Sequence, residues 1–331
     1  MGAAEGGETD PTAVLVAGLT DCLAVIDLRN ASLPVSELGQ VYQAVLLDRP
    51  ELFHVAPRLA YGYTEANGVR TVTQVYPVYT MTGEELTAAR ALYLETVTAI
   101  LSDMEAVFGD HPHTEADTVL YLHDRLAVDY DYDTRPDGES NANAYGFFRD
   151  GVGICQAYAL ALLALCRGAG LEAHVVVSGA MDHAWNHVRV EGVWYHVDVT
   201  RDDPIPAEGG LPTVTHTRLL RSDGGMATLG YHSYACPVEH TCADTRYEGA
   251  GGSGVGDLRG ALVFRGGTWM GMDEKGCLTA LKFQKNGVFA GQVGDLNLDG
   301  VFDPRDLLAV YAPDLPEEWR EWVRGALVEG T

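Results

Sequence analysis

Three residues in one part of the chain have the types needed for thiol-based acyl chemistry. Cys155, His183 and Asp198 lie in the segments GVGICQAYALALL, MDHAWNHVRV and WYHVDVTRDDP. A thiol attacks an acyl carbon as its thiolate, so such a site needs an imidazole to accept the proton and a third group to orient that imidazole. The three segments supply these groups in chain order. They predict an enzyme with a Cys-His-Asp triad.

The cysteine stands where a helix is expected to begin. An alanine- and leucine-rich run extends from Cys155 to Arg167 and stops at Gly168 and Gly170, which is typical of a helix end. The partial positive charge of a helix N-terminus stabilises a thiolate. Cys166 lies among leucines in the same run and is predicted to be a core residue.

The histidine and the aspartate are predicted to meet across a hairpin. HAWNHVRVEGVWYHVDVT has a hairpin pattern with its turn at Glu191 and Gly192. The turn fixes a register in which the facing pairs are Val190 with Val193, His187 with His196, and Trp185 with Asp198. His183 is then diagonal to Asp198 on the same face, with α-carbons roughly 7 Å apart. An imidazole and a carboxylate can bridge that separation.

Two other interpretations of this hairpin remain open. His183 and Asp198 could be a purely structural pair. In addition, His183, His187 and His196 share one face with Asp198, and three histidines with a carboxylate could hold zinc, although the helical His-Glu-x-x-His signature is absent. A metal-dependent hydrolase therefore stays as an alternative.

Hydrophobic periodicity and capping residues predict the elements around these segments. VRTVTQVYPVYT (69–80) alternates like a strand, and Thr82 with Glu85 forms a capping box before a helix that reaches about Val107. Thr114 with Asp117 repeats that signature before a second helix, which ends near 129–133. Short strands separated by Gly-rich turns are predicted from about 258 to 291. GGSGVG (251–256) is the best linker candidate.

These patterns divide the chain into five regions. They are a disordered leader (1–10), an N-terminal α/β region (11–110), a core that holds the triad (111–205), a loop and β-rich accessory region (206–291), and a C-terminal calcium loop and helix (292–331).

The charge balance narrows the classes of partner. Lys and Arg number 22 against 47 Asp and Glu, a net charge of −25, which disfavours nucleic acid and anionic lipid. No apolar run reaches the roughly 18 residues of a membrane-spanning helix, so no membrane insertion is expected. MGAAEGGETDP lacks the features of a signal peptide, and we expect that any signal peptide has been removed or never existed. In an exported protein, Cys236 and Cys242 could form a disulfide.

A calcium-binding loop is predicted near the end of the sequence. GDLNLDGVFDPRDLLAV places oxygen donors at the spacing of an EF-hand loop, with Gly300 at the sharp turn. The predicted ligands are Asp295, Asn297, Asp299, the Val301 carbonyl, Asp303 and Asp306. Calcium would be structural here, and we predict no cofactor for catalysis.

At the three triad segments the chain resembles the transglutaminase-like superfamily, in particular its bacterial secreted members. The resemblance rests on AYGFFRDGVGICQAYA, GAGLEAHVVVSG, HAWNHV and WYHVDVTRDDP. It implies that Cys155 is the nucleophile, His183 the general base and Asp198 its partner. It also implies an α+β fold of papain-like type, in which a helix bearing the cysteine packs on an antiparallel sheet. Ala157 and Arg201 depart from the usual pattern beside the site.

Further residues near the triad are candidates for stabilising the oxyanion and for shielding the site from water. The oxyanion donor is expected to be the Cys155 backbone N–H with a partner from 141–146, where Asn141, Asn143 and Tyr145 are candidates. Trp185, beside His183, is a candidate for shielding the site from water, and simple packing is an equal alternative.

The predicted calcium loop is similar to a dockerin repeat. A dockerin normally has two such repeats, and only one is recognisable here. The resemblance implies a cohesin-type scaffold as a candidate partner. A loop that fills at extracellular calcium levels also favours a secreted or cell-surface protein.

The predicted function is therefore that of a cysteine enzyme acting on peptide or protein amide bonds through a thioester. Hydrolysis is slightly favoured over cross-linking, because the sequence has no recognisable architecture of a long cross-linking enzyme. The main alternative is a non-catalytic cell-surface or scaffold-binding module that retains the fold.

Overall fold

The computed structural model describes residues 9–108, 113–134, 142–205, 215–238 and 240–248, and the strand segments 263–265, 268–272 and 278–279. The chain divides into two compact units, Met1–Leu94 and Glu95–Thr331. In the parts so described, the longest and most apolar helices still fall short of what a membrane span requires.

The first unit is a β-hairpin with helices packed on it. Its elements are α1 (Pro11–Thr20), β1 (Ile26–Asp27), α2 (Val35–Asp48), a short 3-10 turn (Pro50–Leu52), β2 (Val55–Ala66), β3 (Val69–Tyr79) and the start of α3 (Gly83–Phe108). The strands are antiparallel in the order β1-β3-β2. Positive φ angles at Asn67 and Gly68 form the tight Asn-Gly turn between β2 and β3.

Apolar side chains from both helices and the hairpin form the core of this unit. Leu15 and Leu19 of α1 and Tyr42 of α2 pack with Val72 and Val75 of β3, and all five are buried. Asp10 caps α1 by accepting hydrogen bonds from the backbone of its first turn. The predicted strand at 69–80 and the predicted helix from Thr82 to about Val107 are confirmed by β3 and α3.

The second unit contains the predicted triad. Its first elements are α4 (Glu115–Asp129), β4 (Asp131–Tyr132), α5 (Ala144–Asp150), β5 (Val152–Gly153), α6 (Cys155–Gly168), β6 (Ala173–Ser178), β7 (His183–Val190) and β8 (Val193–Val197). They continue with α7 (Val199–Asp202), α8 (Asp223–Thr228), β9 (Val263–Arg265), β10 (Thr268–Met272) and β11 (Leu278–Thr279). Strands β6, β7 and β8 form an antiparallel sheet in that order, while β4 and β5 form a short parallel pair.

Helix α6 is buried on all sides. Every residue from Ala157 to Cys166 is buried, which explains why this run is rich in alanine and leucine rather than amphipathic. Asn186 of β7 donates a hydrogen bond of 2.9 Å from Nδ2 to the Ala159 carbonyl of α6, and so ties the helix to the sheet. A helix bearing the cysteine against an antiparallel sheet is the α+β arrangement predicted from the sequence.

The predicted hairpin register is confirmed. Val190 pairs with Val193, and His187 pairs with His196. Glu191 and Gly192 both have positive φ angles, as the two central residues of a type I′ hairpin turn do. The capping box of Thr114 and Asp117 is present at the start of α4.

The region after Pro204 differs in part from the prediction. Residues 215–248 include the helix α8, which the sequence did not predict, and they pack against the hairpin sheet. His196 of β8 and Arg221 form an antiparallel bridge, as do Val177 of β6 and Ala235. The segment lacks a helical period because its helix is only six residues long.

The far end of the chain is described in part. Strands β9, β10 and β11 form an antiparallel sheet at the positions of the predicted strands ALVFRG, TWMGM and CLTALKF. The linker candidate 251–256 and the predicted calcium loop from Asp295 to Asp306 lie outside the described residues. Cys236 and Cys242, considered above as a disulfide, are free thiols.

Candidate active site

Cys155 is the first residue of α6. Ile154 precedes the helix in an extended conformation, and the strand β5 leads into it. Pairing of β5 with β4 places Tyr132 opposite Gly153, two residues before the cysteine. The first N–H groups of a helix have no partners within the helix, so Cys155 lies where backbone donors and the helix dipole stabilise negative charge.

His183 is the first residue of β7 and contacts both other members of the triad. Its Nε2 atom lies 2.6 Å from Oδ2 of Asp198. The neighbouring side chain of Cys155 also acts on this ring and raises its pKa. Because Nε2 faces Asp198, Nδ1 is the ring nitrogen that remains for the thiol. The imidazole is therefore held between the sulfur and the carboxylate.

The surroundings of His183 favour its protonated form. Burial by itself lowers the pKa of the ring, but the hydrogen bonds to Asp198 and Cys155 and the charges of these two groups outweigh it and raise the pKa to about 9. A protonated imidazole beside a thiolate is the ion pair that a cysteine nucleophile needs at neutral pH.

Asp198 is buried, and three donors satisfy its carboxylate. Oδ1 accepts a hydrogen bond from the Arg201 backbone N–H at 3.2 Å, and Asp198 thereby caps α7. Oδ2 accepts from His183 Nε2 and from the Tyr231 hydroxyl. Burial raises the pKa of this carboxyl, yet the hydrogen bonds, that of His183 first, bring the pKa below its ordinary value. Asp198 is thus an ionised acceptor in a fixed position.

Tyr231 is a site residue that sequence reasoning missed. Its ring lies edge-on to both His183 and Trp185, and the guanidinium of Arg201 lies over its ring, 4.8 Å from the centroid. Burial raises the pKa of Tyr231 well above its ordinary value, so the hydroxyl stays a donor. Its segment, GYHSY, has no motif that marks it, and only the packing of 215–248 on the sheet brings it to Asp198.

Tyr132 is a second neighbour that the sequence did not indicate. Burial raises the pKa of this tyrosine, and the charge of Cys155 raises it further. The backbone of Tyr132 pairs with that of Gly153, two residues before the cysteine. Tyr132 lies in DYDYD, which was interpreted only as the end of a helix. It joins the Cys155 backbone as a candidate oxyanion donor.

The other oxyanion candidates lie at the start of α5 or outside the described residues. Asn143 caps α5 by accepting a hydrogen bond of 2.8 Å from Gly146 N. Tyr145 lies in α5 beneath the guanidinium of Arg149, 5.3 Å from the ring centroid. Asn141 is outside the described residues. A role for these residues as oxyanion donors stays a prediction.

Trp185 packs beneath His183. The two rings are stacked with centroids 5.7 Å apart, and Trp185 is 1% exposed. Its neighbours in a small apolar cluster are Val176, Met226 and Tyr231. The indole Nε1 donates a hydrogen bond of 2.9 Å to His196 Nδ1. The tryptophan therefore supports the histidine ring from within the core.

The short helix α7 is fastened on both sides just beyond Asp198. Asp202 accepts hydrogen bonds from the Arg218 backbone N–H at 2.8 Å and from the Thr215 hydroxyl at 2.9 Å. Asp203 accepts one of 2.6 Å from the hydroxyl of Tyr158, a buried residue of α6. Asp203 thus connects the chain just beyond Asp198 to the cysteine helix, and Asp202 connects it to the 215–218 segment.

The histidine face considered for metal binding is not gathered into one group. His183 pairs with Asp198, whereas His187 contacts His196 and His240 at 3.0 and 2.8 Å. Trp185 lies between His183 and His196. Among the residues that the structure describes, the candidate metal-binding groups include His187 and His196 but not His183. This arrangement does not support a metal-dependent hydrolase that uses all three.

Residues 105–199 match the family model of the transglutaminase-like superfamily. That match covers less than half of the chain and includes all three triad positions. Among curated proteins, no match was found.

Several solved structures also resemble the chain. One is a TGase, with a TM-score of 0.30 and 13% identity over 58% of this chain and 48% of that one. Another is a candidate cysteine protease from Cytophaga hutchinsonii, with a TM-score of 0.27 and 16% identity over 56% of this chain and 73% of that one. A candidate protease from Parabacteroides distasonis has a TM-score of 0.25 and 13% identity over 42% and 35%. The chain spans about half the length of the TGase.

Proposed function

We propose that the protein is a cysteine enzyme that breaks peptide or protein amide bonds through a thioester on Cys155. The observation that carries this proposal is the position of the His183 ring, which contacts Asp198 at 2.6 Å and whose pKa is raised by both Asp198 and the neighbouring Cys155. The match of 105–199 to the transglutaminase-like superfamily supports the same chemistry.

The first half-reaction forms the thioester. The Cys155 thiolate attacks the amide carbonyl carbon, and the carbonyl oxygen gains the negative charge. Backbone N–H groups at the start of α6, with Tyr132 as a candidate partner, stabilise that oxyanion. The carbon–nitrogen bond then breaks, and the His183 imidazolium gives its proton to the departing amine. Asp198 holds the imidazole in the orientation that both steps need.

The second half-reaction releases the acyl group. The neutral His183 ring takes a proton from water, the resulting hydroxide attacks the thioester carbon, and the carbon–sulfur bond breaks to give a carboxylic acid and the thiolate. A lysine amine in place of water would give a cross-link. Hydrolysis is slightly favoured, because the sequence lacks a recognisable cross-linking architecture. The net charge of −25 favours neutral or basic peptides as substrates.

The test follows the two acyl acceptors in one experiment. A glutamine-containing peptide library is incubated with the full chain and a fluorescent primary amine, and the products are read by mass spectrometry. We expect new peptide termini or deamidated glutamine, with less amine incorporation, and at least a 1000-fold loss of both in Cys155→Ala, as expected when the nucleophile is removed. Cys166→Ala provides a matched control for the loss of a thiol from the same helix.

Alkylation gives a readout that needs no substrate. Iodoacetamide at pH 7 should modify Cys155 faster than Cys166, because burial raises the pKa of Cys166 to about 12 and shields its sulfur. Equal rates in the folded protein would contradict an activated thiolate. Binding of a peptide without turnover, undiminished in Cys155→Ala, would instead support a non-catalytic binding module.

A further inference from the structure

A cluster of thiols and imidazoles lies on the hairpin beyond Trp185, apart from the triad. It consists of His187 of β7 and three residues of the segment CPVEHTC, namely Cys236, His240 and Cys242, and is called here the thiol–imidazole cluster. Potential ligand atoms of His187, Cys236 and His240 lie within 4.8 Å of one another, and those of His187, His196 and Cys242 do so as well. The proposed chemistry does not use any of these residues.

The hydrogen bonds around His196 show which ring nitrogens of His196 and His187 carry protons. The Trp185 indole N–H only donates, so His196 Nδ1 is an acceptor, and His196 Nε2 carries the proton that it donates to Asp223 Oδ1 at 2.9 Å. His187 Nε2 lies 3.0 Å from the same Nδ1 acceptor and must therefore also carry a proton. That leaves the lone pair of His187 on Nδ1, which points towards His240.

The distances among His187, Cys236 and His240 suit a tetrahedral metal ion. His187 Nδ1 is 2.8 Å from His240 Nε2, and Cys236 Sγ is 3.9 Å from the same nitrogen. Zinc bonds of about 2.0 Å to nitrogen and about 2.3 Å to sulfur place two nitrogens about 3.3 Å apart and a nitrogen and a sulfur about 3.6 Å apart. Each observed separation is within about 0.5 Å of these values.

The backbone fixes the side chains that would act as ligands. Cys242 donates its N–H to Asp223 Oδ2 at 2.9 Å and accepts a hydrogen bond of 2.7 Å from the Asp223 N–H. Cys236 follows Ala235, which is paired with Val177 of β6. The His240 ring is stacked on Trp194 with centroids 4.0 Å apart. The described residues between Cys236 and Glu248 nevertheless form no helix or strand, so the segment has little regular hydrogen bonding to hold it.

We propose that the thiol–imidazole cluster is a structural zinc site, in which His187, Cys236 and His240 already lie together and Cys242, which lies beside His187 but outside that group of three, moves in as the fourth ligand. Two thiolates and two imidazoles are a donor set that selects zinc over calcium or magnesium, which prefer oxygen. With all positions filled by protein, the ion has no place for substrate or water, so its role is to hold the segment 231–242 against β7. Binding forms two Zn–S and two Zn–N bonds and releases the two thiol protons to solvent.

The first measurement is metal content. The full chain, freed of any histidine tag, is reduced, incubated with equimolar zinc in calcium-containing buffer and dialysed before elemental analysis. Calcium is present so that the oxygen-rich segment 295–306 does not retain zinc. We expect about one zinc per chain in the native protein and in Cys155→Ala, and less than about 0.2 in Cys236→Ser/Cys242→Ser, because a four-ligand site does not survive the loss of two thiolates.

Cobalt substitution tests the site without a variant that could misfold. The native protein with Co²⁺ should show the intense visible bands of tetrahedral coordination and a thiolate-to-cobalt charge-transfer band. Cys22→Ser, which removes a thiol of the first unit, should leave the spectrum unchanged.

Three outcomes would overturn the proposal. They are native protein that retains no zinc after dialysis, a cobalt spectrum without the thiolate band, and a Cys236–Cys242 disulfide in protein kept under reducing conditions. Each leaves the Cys155 chemistry intact, because Cys155→Ala is measured separately in the substrate experiment.

Discussion

The His183 ring interacts with two groups that favour its positive charge. Asp198 and Cys155 both stabilise its positive charge, and together they overcome the cost of burying it. The same ring must lose and regain a proton during each turnover of the proposed reaction. Its pKa therefore sets the range of pH in which the first half-reaction can proceed.

The pH profile should report that pKa directly. Loss of the imidazolium proton removes the acid that the departing amine needs, so kcat/KM should fall as pH rises through about 9. In Asp198→Asn the hydrogen bond and charge that raise the pKa are weakened, and the alkaline limb should move towards the ordinary histidine value of 6.5. Steady-state kinetics between about pH 5 and pH 10 provide the measurement.

Asp103→Asn is a suitable control for that profile, because Asp103 is an exposed carboxylate of α3 paired with Arg125. The alkaline limb of the pH profile of Asp103→Asn should coincide with that of the native protein. An alkaline limb that stays in place in Asp198→Asn would show that another group controls the loss of activity.

Sequence reasoning identified the residues that share a local pattern and missed those that do not. Cys155 could be placed because a helix start is visible in composition, and His183 with Asp198 because one turn fixes a register. Tyr231 and Tyr132 reach the site through packing between distant segments. No periodicity or spacing encodes such contacts, so a single sequence does not reveal them.

At the scale of elements, the helix α7 shows how the triad is held together. Asp198 caps it, while Asp203 binds Tyr158 on the helix that carries the cysteine. The helix that begins at Cys155 and the segment that follows Asp198 are thus connected by a hydrogen bond outside the predicted triad. The sequence showed the motif TRDDP but not which partner each aspartate takes, because those partners lie on other elements.

Removing the Tyr158 hydroxyl should destabilise the protein. Tyr158→Phe leaves a buried carboxylate oxygen of Asp203 without this donor, and we expect the free energy of unfolding to fall by about 1–3 kcal/mol. Urea unfolding followed by circular dichroism gives the measurement.

Tyr61→Phe offers a matched comparison, because Tyr61 is 43% exposed. It should change the free energy of unfolding by less than about 0.5 kcal/mol. If the two variants were equally stable, the hydrogen bond between Tyr158 and Asp203 would make no measurable contribution to the free energy of unfolding.

The elements themselves were predictable where the sequence carries strong local signals. The capping box of α4, the strand β3 and the turn of the β7–β8 hairpin were all located correctly. The helix α8 was not, because six residues containing two glycines have neither length nor propensity to indicate a helix. Its position depends on the Ser222 cap and on Met226 in the core.

At the scale of the whole molecule, the net negative charge of the chain gives the predicted calcium loop an electrostatic role. An excess of negative charge repels itself, and a bound cation offsets part of that repulsion. The loop from Asp295 to Asp306 remains a prediction from spacing, as do the dockerin likeness, the scaffold partner and the secreted location. Domain boundaries in the last third of the chain likewise rest on composition.

Calcium should raise the thermal stability of the chain. In zinc-saturated protein, adding calcium to about 100 times its dissociation constant should stabilise the region that binds it by about 2.7 kcal/mol, seen as a higher Tm by calorimetry. Asp295→Ala/Asp299→Ala should abolish the shift, whereas Asp314→Ala, outside the loop, should retain it. If calcium left the Tm of the native protein unchanged, the result would argue against the loop as a binding site.

The hydroxyl that Tyr231 contributes to Asp198 has a consequence for the protein during its synthesis. A nascent chain that has left the ribosome as far as Asp198 already contains all three triad residues, but it lacks the donor that completes the carboxylate's hydrogen bonds. It also lacks the 215–248 segment that covers Trp185. The carboxylate of Asp198 therefore gains its full set of hydrogen bonds only after the chain has emerged at least as far as Tyr231 and folded.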